Sequence, residues 1–78
     1  MARPLYKIAA EIRGTWKNIN PYALEYLNAM ASLDSINDGY YFDSGKSIVL
    51  YFLSNASSWR GEDARRIKAE LKEMAGIK

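Results

Sequence analysis

Hydrophobic residues recur along this chain at helical spacing. Between Pro4 and Trp16, the positions Leu5, Ile8, Ile12 and Trp16 lie three or four apart, which predicts an amphipathic helix over 4–16. Pro4 suits the first turn, where a missing N–H costs nothing, while Gly14 and β-branched Thr15 weaken the far end. Asn20-Pro21 reads as a second start, with Asn accepting from free first-turn N–H groups and Pro in the first helical position. Ala23, Leu24, Leu27, Met30 and Ala31 then form one apolar stripe, with Tyr22, Tyr26, Ala29 and Leu33 alongside. That width predicts a largely buried helix over 21–33. Asn37-Asp38-Gly39 marks a turn because Asn and Gly accept positive φ, and Tyr40-Tyr41-Phe42 is read as loop.

Ser47 to Leu53 is a continuous apolar run, compatible with a buried strand or a buried helix. Helix is preferred on three grounds. Asp43 and Ser44 offer N-caps, the run continues through Ser54-Asn55-Ala56-Ser57 without a turn residue, and no other segment makes a convincing partner strand. On a helix over 44–56, Ile48, Val49, Phe52, Leu53 and Ala56 cover more than half the circumference and should form the centre of the core. Ser57 and Ser58 are candidate caps for a last helix over 61–75. Glu62 and Asp63 suit its first turn, and Ala64, Ile67, Leu71 and Met74 keep the rhythm until Gly76 ends it. The expected fold is therefore a single all-α domain of four helices, with the third helix central and Trp59 plugging the corner between the last two.

Composition narrows the function. The chain has 78 residues, 49% of them hydrophobic and 26% charged, which fits one globular domain and not a disordered tail. It contains neither Cys nor His, which excludes disulfides, thiolate chemistry and histidine-based metal, haem or nucleophile systems. Its longest uncharged stretch, Ser47 to Trp59, is 13 residues, too short to span a bilayer. The first residues meet charge at Arg3 and Lys7 and carry no apolar signal core, so a cytoplasmic protein without membrane partners is expected. Net charge is only +2, but it is unevenly placed: +3 over residues 1–19, −3 over 20–58 and +2 over 59–78. If the first helix persists past Gly14, Arg3, Lys7, Arg13 and Lys17 share roughly a third of its circumference. On the last helix, Arg65, Lys68 and Lys72 fall within about 60° of one another at 100° per residue, opposite a lattice of Glu62, Arg66, Glu70 and Glu73.

No catalytic constellation emerges. Gly45-Lys46-Ser47 has the ending of a phosphate loop, but the position of its first Gly holds Tyr40, and Gly39 is one residue out of register. The carboxylates Glu62/Asp63 and Glu70/Glu73 read as capping and surface charges, and Ser44 or Ser47 beside Lys46 is generic. Neither catalysis nor a cofactor or metal is expected. Helix, short turn and helix from Ser44 to Met74 are compatible with helix-turn-helix DNA binding, yet Glu62 and Asp63 occupy the place where base-reading residues belong. Six tyrosines and two tryptophans are a high aromatic load that can fill a core or form an interface. Tyr40 and Tyr41, after a Gly turn, are the aromatic pair most expected to be exposed.

The stretch Phe52 to Glu62, continued by Ala64 to Lys72, resembles the C-terminal half of small uncharacterised proteins of phages, prophages and other bacterial mobile elements. Lys7-Ile8-Ala9-Ala10-Glu11-Ile12, Trp16-Lys17-Asn18, Asp43-Ser44 and Lys46-Ser47-Ile48-Val49 are similar to their remaining parts. The resemblance implies a bacterial intracellular setting and transfers no catalytic residues. The leading expectation is a non-catalytic accessory protein that binds a host macromolecule through Tyr40, Tyr41, Arg60, Arg65, Lys68 and Lys72. An inhibitor of a defence or nucleic-acid-handling protein fits that description. The alternative is a nucleic-acid-binding accessory protein that sets basic helix flanks, with Arg3, Lys7, Arg13 and Lys17, on phosphates. A third reading is self-association into a homo-oligomer through an exposed helix face. Merging of the N-terminal and C-terminal basic arcs on one surface would favour the nucleic-acid reading, and arcs that point apart would count against it.

Overall fold

The computed structural model describes residues 3–40 and 43–76, with Tyr40 and Asp43 through their backbone. Leu5, Ile8, Ala9 and Ile12 line the buried face of α1 (Leu5–Thr15). Its first N–H groups find partners outside the helix. Leu5 donates to Asp34 O at 3.0 Å and Tyr6 to Leu33 O at 2.9 Å, which ties the start of α1 to the chain following α2. Pro4 stands just before the helix, and Thr15 ends it by turning its hydroxyl back onto Glu11 O at 3.0 Å.

Helix α2 (Pro21–Met30) begins as expected, with the Asn20 side chain accepting from Ala23 N at 2.8 Å. The other end of that amide donates to Asn55 O at 2.7 Å and so pins the start of α2 to the end of the third helix. Ala31 to Leu33, expected in α2, form a tighter turn in which Ser32 N reaches Ala29 O and Leu33 N reaches Met30 O, each at 3.1 Å.

The segment after α2 departs from expectation in two ways. Gly39 does not take positive φ; among the described glycines only Gly61 and Gly76 do. The turn is made instead by the Asp38 carboxylate, which accepts from Asp34 N at 2.9 Å and Ser35 N at 3.1 Å. Part of the expected loop is a small antiparallel pair, β1 (Gly39–Tyr40) with β2 (Asp43–Ser44), in register Gly39 with Ser44 and Tyr40 with Asp43.

The ambiguous apolar run is helical. Helix α3 (Gly45–Ser54) is capped by Ser44, whose hydroxyl accepts from Ser47 N at 3.1 Å. Ile48, Val49 and Phe52 are buried, and Phe52 meets both tryptophans edge-on, Trp16 at 6.1 Å and Trp59 at 6.4 Å between ring centroids. Helix α4 (Glu62–Met74) buries Ala64, Ile67 and Leu71. Its cap is Gly61 with φ 113°, not Ser57 or Ser58, and its end is turned by Gly76 with φ 78°. The domain is all-α, and α3 packs mainly against α2.

Candidate functional site

The four basic residues expected along the first helix do not share one arc. Arg3 precedes α1 and Lys17 follows it, so the helix itself carries only Lys7 and Arg13 of that set, and of the N-terminal cations Lys17 is the one that meets Arg60 of the C-terminal set. Arg3 is neutralised across the molecule. Its Nη2 lies 2.7 Å from Glu70 Oε1 and its Nη1 lies 2.8 Å from Glu11 Oε1. Arg66 closes the lattice, 2.7 Å from Glu11 Oε2 and 3.3 Å from Asp63 Oδ1. The charges on this side of α4 are therefore matched by residues of α1 and its lead-in. Arg13 donates to Asn28 Oδ1 between α1 and α2, and Lys7 is exposed to solvent.

Glu11, held by Arg66 and Arg3, titrates below its ordinary value of 4.5. A carboxylate whose folded pKa is depressed contributes stability above its unfolded pKa and loses it as pH falls through the folded one. Glu11→Gln should therefore be less stable than the parent at neutral pH and lose less stability below about pH 4. Urea midpoints measured across the acid range check this; parallel pH profiles for the two proteins would remove Glu11 from the acid response.

The remaining cations gather where the two tryptophans meet. Trp16, just beyond α1, and Trp59, in the α3–α4 connection, stack with ring centroids 5.3 Å apart and planes 7° from parallel. Each tryptophan is followed by a cation, Lys17 and Arg60, and the stack brings both onto one open groove of about 410 Å³. Thr15, Asn18 and Ser58 add hydroxyl and amide groups to its lining. Lys68 of α4 lies against the same corner. Its Nζ donates to Trp59 O at 2.6 Å and stands 5.8 Å from the Trp59 ring centroid. Burial first, then the nearby charges of Lys72 and Arg60, push the Lys68 pKa down, the direction expected where cations crowd without anions. Among the described residues Lys17, Arg60, Lys68 and Lys72 make no ion pair.

Arg65 stays on the α4 flank with Lys68 and Lys72, makes no ion pair among the described residues, and lines a second groove beside Glu62, Asp63 and Arg66. Tyr41 lies outside the described residues, and Tyr40 enters only through the backbone of β1. Among the described residues the exposed aromatic side chains are Tyr22 at 70%, Tyr51 at 45% and Tyr6 at 43%. Tyr22 is a correction, since the width of the α2 stripe placed it with the buried set. It stands in the first turn of α2.

Among the described residues no three Asp or Glu side chains gather as a metal site, and no helix is long and apolar enough to cross a membrane. No protein-family model, curated protein or solved structure matches the chain.

Proposed function

We propose that this chain is a non-catalytic nucleic-acid-binding accessory protein that grips phosphates at the tryptophan corner. One observation carries the reading: Lys17 and Arg60 line one groove, Lys68 lies against Trp59 beside it with Lys72 one turn further along α4, and none of the four makes an ion pair among the described residues. Crowded like charges raise the energy of the free protein, and an incoming polyanion relieves it while releasing its own counterions. The buried Trp16–Trp59 stack fixes the backbone under Lys17 and Arg60, so their charges are presented in a set relation. With Glu62 and Asp63 at its start, α4 is unsuited to entering a major groove, and the contact is to backbone without base reading. A phage or mobile-element protein acting in the bacterial cytoplasm is the setting that goes with this reading. Binding to a host protein, the other reading, rests on Tyr40 and Tyr41, whose side chains lie outside what the structure describes, together with Arg60, Arg65, Lys68 and Lys72; the groove supports the nucleic-acid reading.

Fluorescence anisotropy of a labelled oligonucleotide, titrated at increasing salt, tests the proposal. Four phosphate contacts give a slope of log affinity on log salt between about −3 and −4. Lys17→Gln with Arg60→Gln should flatten that slope by about 1.5 and weaken binding at every salt concentration. Both positions are exposed, so the double variant should keep the parent's circular dichroism. Absence of binding at low salt by the parent protein would end the proposal.

A further inference from the structure

A few residues along the chain from each wall of the groove, α2 and α3 carry exposed aromatic side chains. Tyr22 and Tyr26 stand one turn apart on α2, and Tyr26 meets Tyr51 of α3 with ring centroids 5.3 Å apart and planes at 39°. Tyr22 and Tyr51 are 70% and 45% exposed, far more than packing of the core requires of so large a ring. A crosspiece joins this face to the groove. Asn20 donates to Asn55 O at 2.7 Å, and Asn55 in turn donates to Tyr51 O at 2.8 Å. Lys17 and Asn18 lie just before Asn20, and Ser58 and Arg60 lie just after Asn55, so each wall of the groove runs within a few residues into a tyrosine-bearing helix.

We propose that the nucleic acid bound at this groove is single-stranded, with phosphates along Lys17, Arg60, Lys68 and Lys72 and bases stacked on Tyr22 and Tyr51. The inference rests on the phosphate-binding reading and adds the class of strand. In a duplex the base faces are paired and stacked inside, so outward tyrosines beside a phosphate track have nothing to receive; a single strand offers each base face. Trp16 and Trp59, at 6% and 4% exposure, are closed off beneath the groove and support it from below. The stacking surface is therefore the tyrosine face alone. Because every base has a π-face, such a track tolerates sequence, in keeping with a cation set that contacts backbone only.

The experiment compares a labelled oligothymidylate with a duplex of equal length in anisotropy titrations. The parent protein should prefer the single strand. Tyr22→Leu and Tyr51→Leu should each weaken single-strand binding about tenfold, with the salt slope unchanged, because stacking releases no counterions. Duplex binding should not move in either variant, and Tyr22→Phe should restore the parent affinity, since the ring and not the hydroxyl does the stacking. Tyr22 is largely exposed, so its variants test the idea without unfolding the domain. Duplex bound as tightly as single strand, with both leucine variants silent, overturns this inference and leaves the phosphate groove standing. Failure of the parent to bind either nucleic acid at low salt removes both.

Discussion

Trp59→Ala should remove most of the stability of the domain, at a cost of about 3–5 kcal/mol, in line with large-to-small changes at buried aromatic sites. A chain of 78 residues has only about 4–12 kcal/mol to lose. The Trp59 ring is 4% exposed, lies flat on Trp16 at 5.3 Å and takes the edge of Phe52 at 6.4 Å, so the end of α1 and α3 lose a shared partner at once. The stacked geometry adds about 0.5–1.5 kcal/mol beyond area burial, which a cycle with Trp16→Ala would isolate as coupling between the two changes. Urea unfolding followed by far-ultraviolet circular dichroism should show the alanine variant's midpoint lowered by the equivalent of about 3–5 kcal/mol. Trp59→Phe should recover much of the loss by keeping a ring in the corner. A midpoint unchanged in Trp59→Ala would mean that the corner is not the support of the core described here. The consequence for function is indirect: without the stack, Lys17 and Arg60 have no common floor, and their groove opens.

How far the sequence discloses this arrangement depends on range. Spacing of three and four residues was enough for all four helices, and for Ser47 to Leu53 the absence of a partner strand together with Ser44 as a cap decided between helix and strand. Asn20-Pro21 was equally plain, because a cap is a local device. Periodicity gives an angle on a helix but not the neighbour that angle meets. Arg3 shares a flank with other cations when α1 is taken alone; Glu70, 67 residues away, takes it out of that set. Tyr22 belongs to the apolar width of α2, yet in the first turn of that helix it is 70% exposed. Gly39 in Asn37-Asp38-Gly39 was a sound turn residue, but the Asp38 carboxylate closes the turn without needing positive φ there. The groove had a faint trace in the sequence, a tryptophan followed by a cation twice over, at Trp16-Lys17 and Trp59-Arg60. Only the stack between the two rings turns that trace into a site.

Gly45→Ala should destabilise the domain by about 1–3 kcal/mol, the range for forcing extra volume into a packed site, and toward the upper end of it. A Cβ at this first residue of α3 would stand 2.7 Å from Ser35 O and 2.8 Å from Ile36 O, both backbone atoms that no rotamer change can withdraw. Relief requires moving the 34–38 segment, which the Asp38 carboxylate holds through Asp34 N and Ser35 N. That segment in turn receives the first N–H of α1 on Asp34 O, and Gly45 N itself donates to Asp38 O at 2.6 Å. The strain therefore passes from the start of α3 to the start of α1. Gly14→Ala is the matched control. Gly14 lies inside α1 with nothing within 4 Å of the added methyl, so the same change there should stabilise by about 0.5–1 kcal/mol through helix propensity. Urea midpoints of the two variants should move in opposite directions. The pair also explains why Gly45-Lys46-Ser47 looks like a phosphate loop without being one. If Gly45 served close approach of a phosphate, alanine there would cost oligonucleotide affinity and leave the midpoint alone. A packing role requires the reverse, with Lys46→Ala silent in both measurements because that side chain is exposed and the groove lies elsewhere.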